Sequence, residues 1–301
     1  MNDELEFTVI SDIHYYSKKN FVDGFDKNKK PKPGQLFFSR SEEIVEHTFD
    51  CLCKNDTPDI VLISGDLTYN GERTSHDEMK AALKKLQQKG KRVYVITATH
   101  DYTTPRMPTY GIDKNDKYIE VESVKRTQLL KYYGDFGYNN AIAKHKSTMS
   151  YVAQLADGYR LFALNDDYGD PDCGFSDELM NWVKTEANNA KRDGQYIIAM
   201  THHPLVPPSP IYTAVAKGDM LNDYELRSKQ LSDLGFDFVL TGHTHMHNIS
   251  YCKIGNKKFY DISTAALTGF PPYYRQIVLN KEQKKAEIKT ICADCADSID
   301  T

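Results

Sequence analysis

The stretch DIVLISGD, Asp59 to Asp66, decides how this chain folds. Ile60 to Ile63 is a short continuous apolar run, the mark of a strand buried within a sheet. It stops on Ser64-Gly65-Asp66, where a tight glycine delivers a carboxylate to the strand's carboxyl end. Two runs of the same build flank it, FTVIS at 7–11 and RVYVIT at 92–97. Helical patterns fill the gaps. Ser41 opens one that carries Ile44, Val45, Thr48, Phe49 and Leu52. Thr74 to Gly90 forms the other, with Met79, Ala82, Leu83 and Leu86 at i, i+3, i+4, i+7 spacing and Gly90 as its stop. A strand-helix-strand-helix-strand order predicts a parallel sheet with right-handed crossovers.

Further along, Tyr102 to Asn140 is polar and rich in Tyr and Lys, with a helical patch near Val124 to Tyr133. TMSYVAQL and YRLFALN flank Asp157-Gly158, a hairpin signal. Ser176 opens a helix bearing Leu179, Trp182, Val183, Ala187 and Ala190. QYIIAMTHHP and FDFVLTGHTH are strands that run into polar ends, with a helix near Leu221 to Leu234 between them. NISYCKI, KKFYDIS, RQIVLN and AEIKTI follow as hairpin strands. No internal repeat and no linker divides the chain. One α/β sandwich domain over 1–301 is predicted, with rim insertions near 15–40 and 102–140.

Composition narrows the class. The chain has 301 residues, a net charge of −4 and mixed charges, which nominate neither a nucleic-acid polymer nor a membrane as partner. No apolar run approaches the roughly 20 residues of a membrane helix. The start, MNDELEFTVISDIH, has neither a basic n-region nor an apolar h-region. Six cysteines in a chain this large point to reduced thiols, so a cytoplasmic protein is expected. Cys51-Leu-Cys53 and Cys292-Ala-Asp-Cys295 do not match zinc-ribbon spacing and are read as small buried hydrophobes and a tail.

Five strand ends carry residues that bind metal or move protons. They are Ser11-Asp12-Ile13-His14, Ser64-Gly65-Asp66, Thr99-His100-Asp101, Thr201-His202-His203-Pro204 and Gly242-His243-Thr244-His245. Six of the ten histidines lie in them, which is hard to explain by packing, because burying so many polar rings requires partners. Several imidazoles with two aspartates suit Mn, Fe, Zn, Ni or Co rather than Ca or Mg. Asp-x-His and His-x-His place alternate side chains on one side of an extended chain, within reach of one binuclear centre. Asp66 is placed to bridge two cations about 3.5–4 Å apart, the usual device for displacement at phosphorus.

At these residues the chain resembles the calcineurin-like metallophosphoesterases. That superfamily carries Asp-x-His, Gly-Asp-x-x-Asp, Gly-Asn-His-Asp/Glu, a His-containing strand end and Gly-His-x-His on a four-layered α/β/β/α sandwich, and the same order runs here from residue 12 to residue 245. The resemblance implies that Asp12, His14 and His245 hold a first divalent ion, that Asp66 bridges, and that His202 and His243 hold a second. It makes His100 the acid or transition-state stabiliser, and leaves His203 to support the ligands or face substrate. It implies a phosphoesterase working by metal-hydroxide attack at phosphorus on a small phosphodiester or phosphomonoester. Cyclic nucleotides are suggested by the Gly-Asp-Leu-Thr-x-x-Gly-Glu segment, Gly65 to Glu72. Two positions depart from the pattern. Thr99 stands where the family has a ligating Asn, and Tyr69 stands where it has the Asp that orients the catalytic His. Asp101 is the candidate substitute orienter, and Asp101 and Asn165 are candidates for the missing Asn. The alternative function is a weak or silent homologue that keeps metal and phosphate. The Lys-rich stretch with Lys18, Lys19, Lys27, Lys29, Lys30 and Lys32 is either a solvated loop or a lid, and Tyr102, Tyr110, Tyr168 and Tyr212 are candidates to stack on a base.

Overall fold

The computed structural model describes residues 4–24, 36–54, 57–167 and 173–293. Its strands are β1 (Glu4–Ile10), β2 (Ile60–Ser64), β3 (Arg92–Ile96), β4 (Gly111–Ile112), β5 (Tyr118–Ile119), β6 (Ala143–His145), β7 (Ser150–Ala156), β8 (Tyr159–Ala163), β9 (Tyr196–Met200), β10 (Phe238–Thr241), β11 (Asn248–Ile254), β12 (Lys257–Ser263), β13 (Tyr273–Asn280) and β14 (Lys285–Cys292). Its helices are α1 (Ser41–Leu52), α2 (Arg73–Gln88), α3 (Leu129–Tyr133), α4 (Asp177–Arg192), α5 (Tyr212–Val215) and α6 (Tyr224–Leu234).

Two sheets carry the architecture, ordered β14-β13-β1-β2-β3 and β11-β12-β10-β9-β8-β7-β6. β1, β2 and β3 are parallel, as the sequence pattern predicts. So are β8, β9, β10 and β12. The period-2 alternation of strands explains the layers. Leu161, Ala163, Ile198, Met200 and Leu240 share a core with Phe7, Val9 and Ile63 of the other sheet. Their neighbours Phe162, Ile197, Ala199 and Val239 face the opposite way, onto Leu179, Val183 and Ala187 of α4 and Leu231 of α6. On the first sheet, α1 and α2 contribute Ile44, Phe49, Met79 and Leu83 to the core. The result is a helix-sheet-sheet-helix sandwich.

The segment 102–140 differs from the expected rim insertion. Val124, Leu129, Tyr133 and Phe136 are buried in the main core, so part of it is structural. β4 and β5 form a small separate hairpin. Lys18 and Lys19 are tied to Glu43 and Glu78 at 3.3 and 2.9 Å. The other lysines of that stretch, with Tyr168 and Cys295, lie outside the described residues. Cys51, Cys53, Cys173 and Cys252 are half-buried free thiols rather than fully buried ones, and Cys292 is exposed. No described helix is long and apolar enough to cross a membrane.

Ser176 caps α4 as its sequence predicts, accepting from the Leu179 N–H at 3.1 Å. Ser41 is the first residue of α1 rather than its cap, because Arg40 holds the flanking position and the Ser41 hydroxyl is taken by Tyr16 N–H and Tyr16 O. Ser176→Ala leaves the Leu179 donor without its partner and is expected to cost about 1 kcal/mol in urea denaturation. An unchanged midpoint would show that water replaces the cap.

Candidate metal centre

All five strand ends meet at one edge where the two sheets face each other. β1, β2 and β3 deliver Asp12, His14, Asp66 and His100 from the first sheet. β9 and β10 deliver His202, His243 and His245 from the second. Backbone bonds carry the ladder past the strand ends: Asp12 N–H to Gly65 O, His14 N–H to Asp66 O, and Gly242 N–H to His202 O, at 3.2, 3.0 and 3.0 Å.

The local backbone is unusual. Asp12, His14, Asp66, His243 and His245 all have left-handed φ, between 45° and 66°. The sequence reading took these pairs as extended. The i and i+2 side chains converge instead through two left-handed kinks separated by one ordinary residue. Asp and His tolerate that region better than most side chains, and such strain is held where the surrounding structure over-determines it. Two glycines make the approach possible. A Cβ on Gly65 would lie 2.8 Å from both Ala98 Cβ and His202 Nδ1, and one on Gly242 would collide with Ser11 Oγ and lie 2.5 Å from Asp12 Oδ2. Ala98, by contrast, sits at φ −145°, so that turn does not need glycine.

Three groups of ligand atoms are drawn together: Asp12, His14 and His245; Asp66, His202 and His243; and His14, Asp66 and His100. No described cysteine takes part in such a group. The second group is tightest at His202 Nε2, which lies 3.2 Å from Asp66 Oδ2. In the first, His245 Nε2 lies 3.5 Å from Asp12 Oδ1 and 3.1 Å from His14 Nε2. His14 Nε2 stands 3.7 Å from Asp66 Oδ2, which links the two sets.

The residues fit bound metal cations. His202 Nδ1 donates to Ser64 O at 2.8 Å, so Nε2 is the nitrogen turned toward Asp66. That Nε2 is buried without a hydrogen-bond partner. Burial opposes charge on both His14 and His202. It wins at His14, pushing the ring down to about 3, whereas at His202 the Asp66 carboxylate outweighs it and the ring rises to about 10. Asp12 is aligned by Ser11 Oγ at 2.5 Å and by the His243 N–H at 3.0 Å. Asp66 Oδ1 accepts from the His100 N–H at 3.0 Å.

The His100 ring is oriented by a residue the sequence reading missed. Its Nδ1 lies 2.6 Å from Tyr69 O and 2.9 Å from Asn70 Oδ1, both acceptors, so Nδ1 carries the hydrogen and Nε2 is the free nitrogen. Asn70, one place beyond the expected Asp position, supplies the contact, and the Tyr69 carbonyl rather than its phenol supplies the other. Asp101 is corrected from its expected role. Its carboxylate is taken up by the Thr68 and Ala98 N–H groups, each at 2.9 Å, and closes the turn under His100. Burial pushes that carboxyl up to about 8. Thr99 is half-buried beside His100 on the same turn. Asn165 is engaged elsewhere, donating to Thr97 Oγ1 at 2.9 Å.

His203 stands behind the ligands rather than in the cleft. It is buried, its ring 4.2 Å from that of His243, and its N–H and Nδ1 lie 2.7 and 3.3 Å from Asp166 Oδ2. Asp166 is a second missed residue. Its signal was a sixth polar strand end, Asn165-Asp166-Asp167 after β8. Of the described tyrosines singled out, only Tyr212 lines the cleft, while Tyr102 is buried and accepts from Arg126 at 2.7 Å.

Two outcomes test this geometry. Gly242→Ala overpacks the Asp12 approach and is expected to destabilise by about 1–3 kcal/mol and to weaken the ion held by Asp12. Calorimetric metal titration checks it, and unchanged metal affinity would show the loop has room. The buried carboxyl of Glu72 is pushed by burial from 4.5 up to about 7. A raised native value means the folded state keeps a proton that the unfolded chain has released. The group's stability contribution is full below pH 4.5 and is lost as pH rises toward 7. Glu72→Gln is therefore expected to gain, relative to wild type, up to about 3 kcal/mol more at pH 8 than at pH 4 in denaturant unfolding. Equal differences at both pH values would place the Glu72 carboxyl in water.

The sequence pattern described as calcineurin-like phosphoesterase matches residues 5–247. No curated protein matches by sequence. Among solved structures, a dimetal phosphatase from Danio rerio superposes with a TM-score of 0.61 at 12% identity, covering 96% of this chain and 99% of that one. A sulfate thiohydrolase from Thermus thermophilus gives 0.49 at 10% identity, covering 96% of this chain and 56% of that one. At these identities the likeness is one of fold, and only the first is close enough to carry it. The matched span contains every strand end that meets at the site, and the chain belongs to the calcineurin-like phosphoesterase family.

Proposed function

We propose that this protein hydrolyses a small phosphodiester or phosphomonoester with the help of two divalent ions of the Mn, Fe, Zn, Ni or Co class. The observation that carries the reading is the sharing of Asp66 and His14 among three converging ligand groups at a strained, largely buried sheet edge. Asp12, His14 and His245 are assigned to one ion, His202 and His243 to the other, and Asp66 to both. Thr99 is assigned to the second ion as a weaker ligand than an amide, since its hydroxyl has less reach. When bound, such ions supply charge against the phosphoryl oxygens and lower the pKa of water.

The chain's own groups do the rest. Asp66 holds the His100 turn through its N–H. Asn70 and Tyr69 O keep the His100 ring aimed, so that Nε2 faces the cleft. A proton taken up there can be donated to a phosphoryl oxygen or to the leaving oxygen. His203, anchored on Asp166, limits the tilt of His243. The cleft above these residues has a volume of about 1070 Å3, room for a small ester. A cyclic nucleotide fits the suggestion of the Gly65 to Glu72 segment.

Metal content is the first test. Reconstituted protein is expected to hold one to two transition-metal ions per chain, and Asp12→Ala and His245→Ala are expected to weaken the same ion. Loss of different ions would break the first ligand set. Bis-(p-nitrophenyl) phosphate is expected to turn over with Mn and to fail in Asp66→Asn. Full metal loading without turnover of that ester or of p-nitrophenyl phosphate would instead support a silent binding homologue. Thr99→Asn is expected to raise affinity for the second ion, with activity converging on wild type at saturating metal. Unchanged affinity would show that the hydroxyl already ligates.

A further inference from the structure

The cleft over the metal centre is lined by residues the sequence reading did not connect. Phe37 and Phe270 stand edge to face at 5.7 Å on one wall. Tyr273 lies against His247 at 5.6 Å on another, beside Met246. Tyr212 closes a third, its hydroxyl 3.2 Å from the Asp219 carboxylate. Phe270 and Met246 are each 49% exposed, large apolar surface left open beside a polar floor. The floor is formed by Asp66, His100, His243 and His245. Among the described residues that line this cleft, none is lysine or arginine.

We infer, on the phosphoesterase reading above, that the substrate is an ester with a single phosphate whose retained alcohol carries a flat aromatic group such as a nucleobase, that Phe37, Phe270 and Tyr273 select it, and that Asp219 rejects a second phosphate. Aromatic rings gain from stacking on flat partners, and nucleobases stack on such rings with little regard to sequence. The ions would neutralise the reacting phosphoryl group alone. Among the described lining residues a further phosphate would meet aromatic walls and the Asp219 carboxylate but no lysine or arginine, and desolvating a charge without a partner is unfavourable. Polyphosphates and nucleic-acid strands are therefore poor occupants, whereas a nucleoside ester bearing one phosphodiester charge fits walls and floor together.

Three esters that share the p-nitrophenol leaving group separate these effects: methyl p-nitrophenyl phosphate, thymidine 5′-(p-nitrophenyl phosphate), and the same thymidine ester with a 3′-phosphate. With Mn-loaded protein, kcat/KM is expected to be at least tenfold higher for the thymidine ester than for the methyl ester. The 3′-phosphate is expected to cost at least tenfold, and Asp219→Asn to recover part of that loss. Phe270→Ala is expected to collapse the thymidine-to-methyl preference to within threefold. Phe37→Leu, distant in sequence, should shift it the same way, which guards against a local folding defect. A preference below threefold in wild type, or a 3′-phosphate without effect, overturns the inference while leaving the phosphoesterase reading standing. If no ester turns over, the phosphoesterase reading fails, and calorimetry of the Mn-loaded protein decides the pocket. Adenosine 5′-monophosphate binding at least tenfold tighter than methyl phosphate, and losing that margin in Phe270→Ala, supports an aromatic-selective pocket. Equal binding overturns it.

Discussion

The carboxylate of Asp12 joins the two halves of this molecule. It accepts from its neighbour Ser11 and from the backbone of His243, 231 residues away. Through those bonds the end of β1 in one sheet is held against the end of β10 in the other. The bridge needs Gly242, because any side chain there would occupy the space of Ser11 and Asp12. Around it the ligands gather on left-handed backbone, a conformation unfavourable for most residues and held only because the loops on every side fix it. The charge distribution follows. Imidazoles and carboxylates crowd together, with the buried His202 Nε2 3.2 Å from the Asp66 carboxylate. A fold that served packing alone would have little reason to arrange them so.

The strand ends that carry this chemistry were legible because apolar runs stop abruptly on Asp and His, a pattern that single-sequence reading detects well. The positions of the long strands were legible for the same reason, and so were the Asp157-Gly158 hairpin and the Ser176 cap, but not the sheet order, in which β12 and β13 part to different sheets and β13 joins β1. Other features were hidden. Asn70 orients His100, but a lone Asn in a loop gives no signal unless the His100 turn is already placed. Asp166 lies on a strand end, Asn165-Asp166-Asp167, that has neither a histidine nor a Gly-Asp turn like Gly65-Asp66 to mark it. The left-handed kinks of Asp12 and His245 depend on contacts between loops far apart in the chain. Val124 and Phe136 sit in a stretch whose average polarity concealed their burial.

The two departures from the family pattern have different physical weight. At Tyr69 the missing carboxylate is answered within the same loop, by a main-chain carbonyl and the Asn70 amide, so the direction of the imidazole is kept while a full negative charge is lost. At Thr99 the described side chains offer no such answer. Asp101 is committed to the turn and Asn165 to Thr97. On the proposed assignment the centre is asymmetric: the first ligand set draws on charged or ring donors alone, and the second would include a hydroxyl.

The distance along the chain between Asp12 and His243 also bears on how the protein reaches its native state. The first sheet cannot be completed from the amino-terminal half, because β1 pairs on one side with β13. During synthesis the apolar β1 therefore emerges with one edge open long before its partner exists, the kind of edge that other chains can pair with. Closing so long a loop must precede the contacts that reward it. The proposed ligand set is complete only once β10 has joined β9, so a nascent chain short of β10 would carry Asp12, His14, Asp66, His100 and His202 but lack His243 and His245.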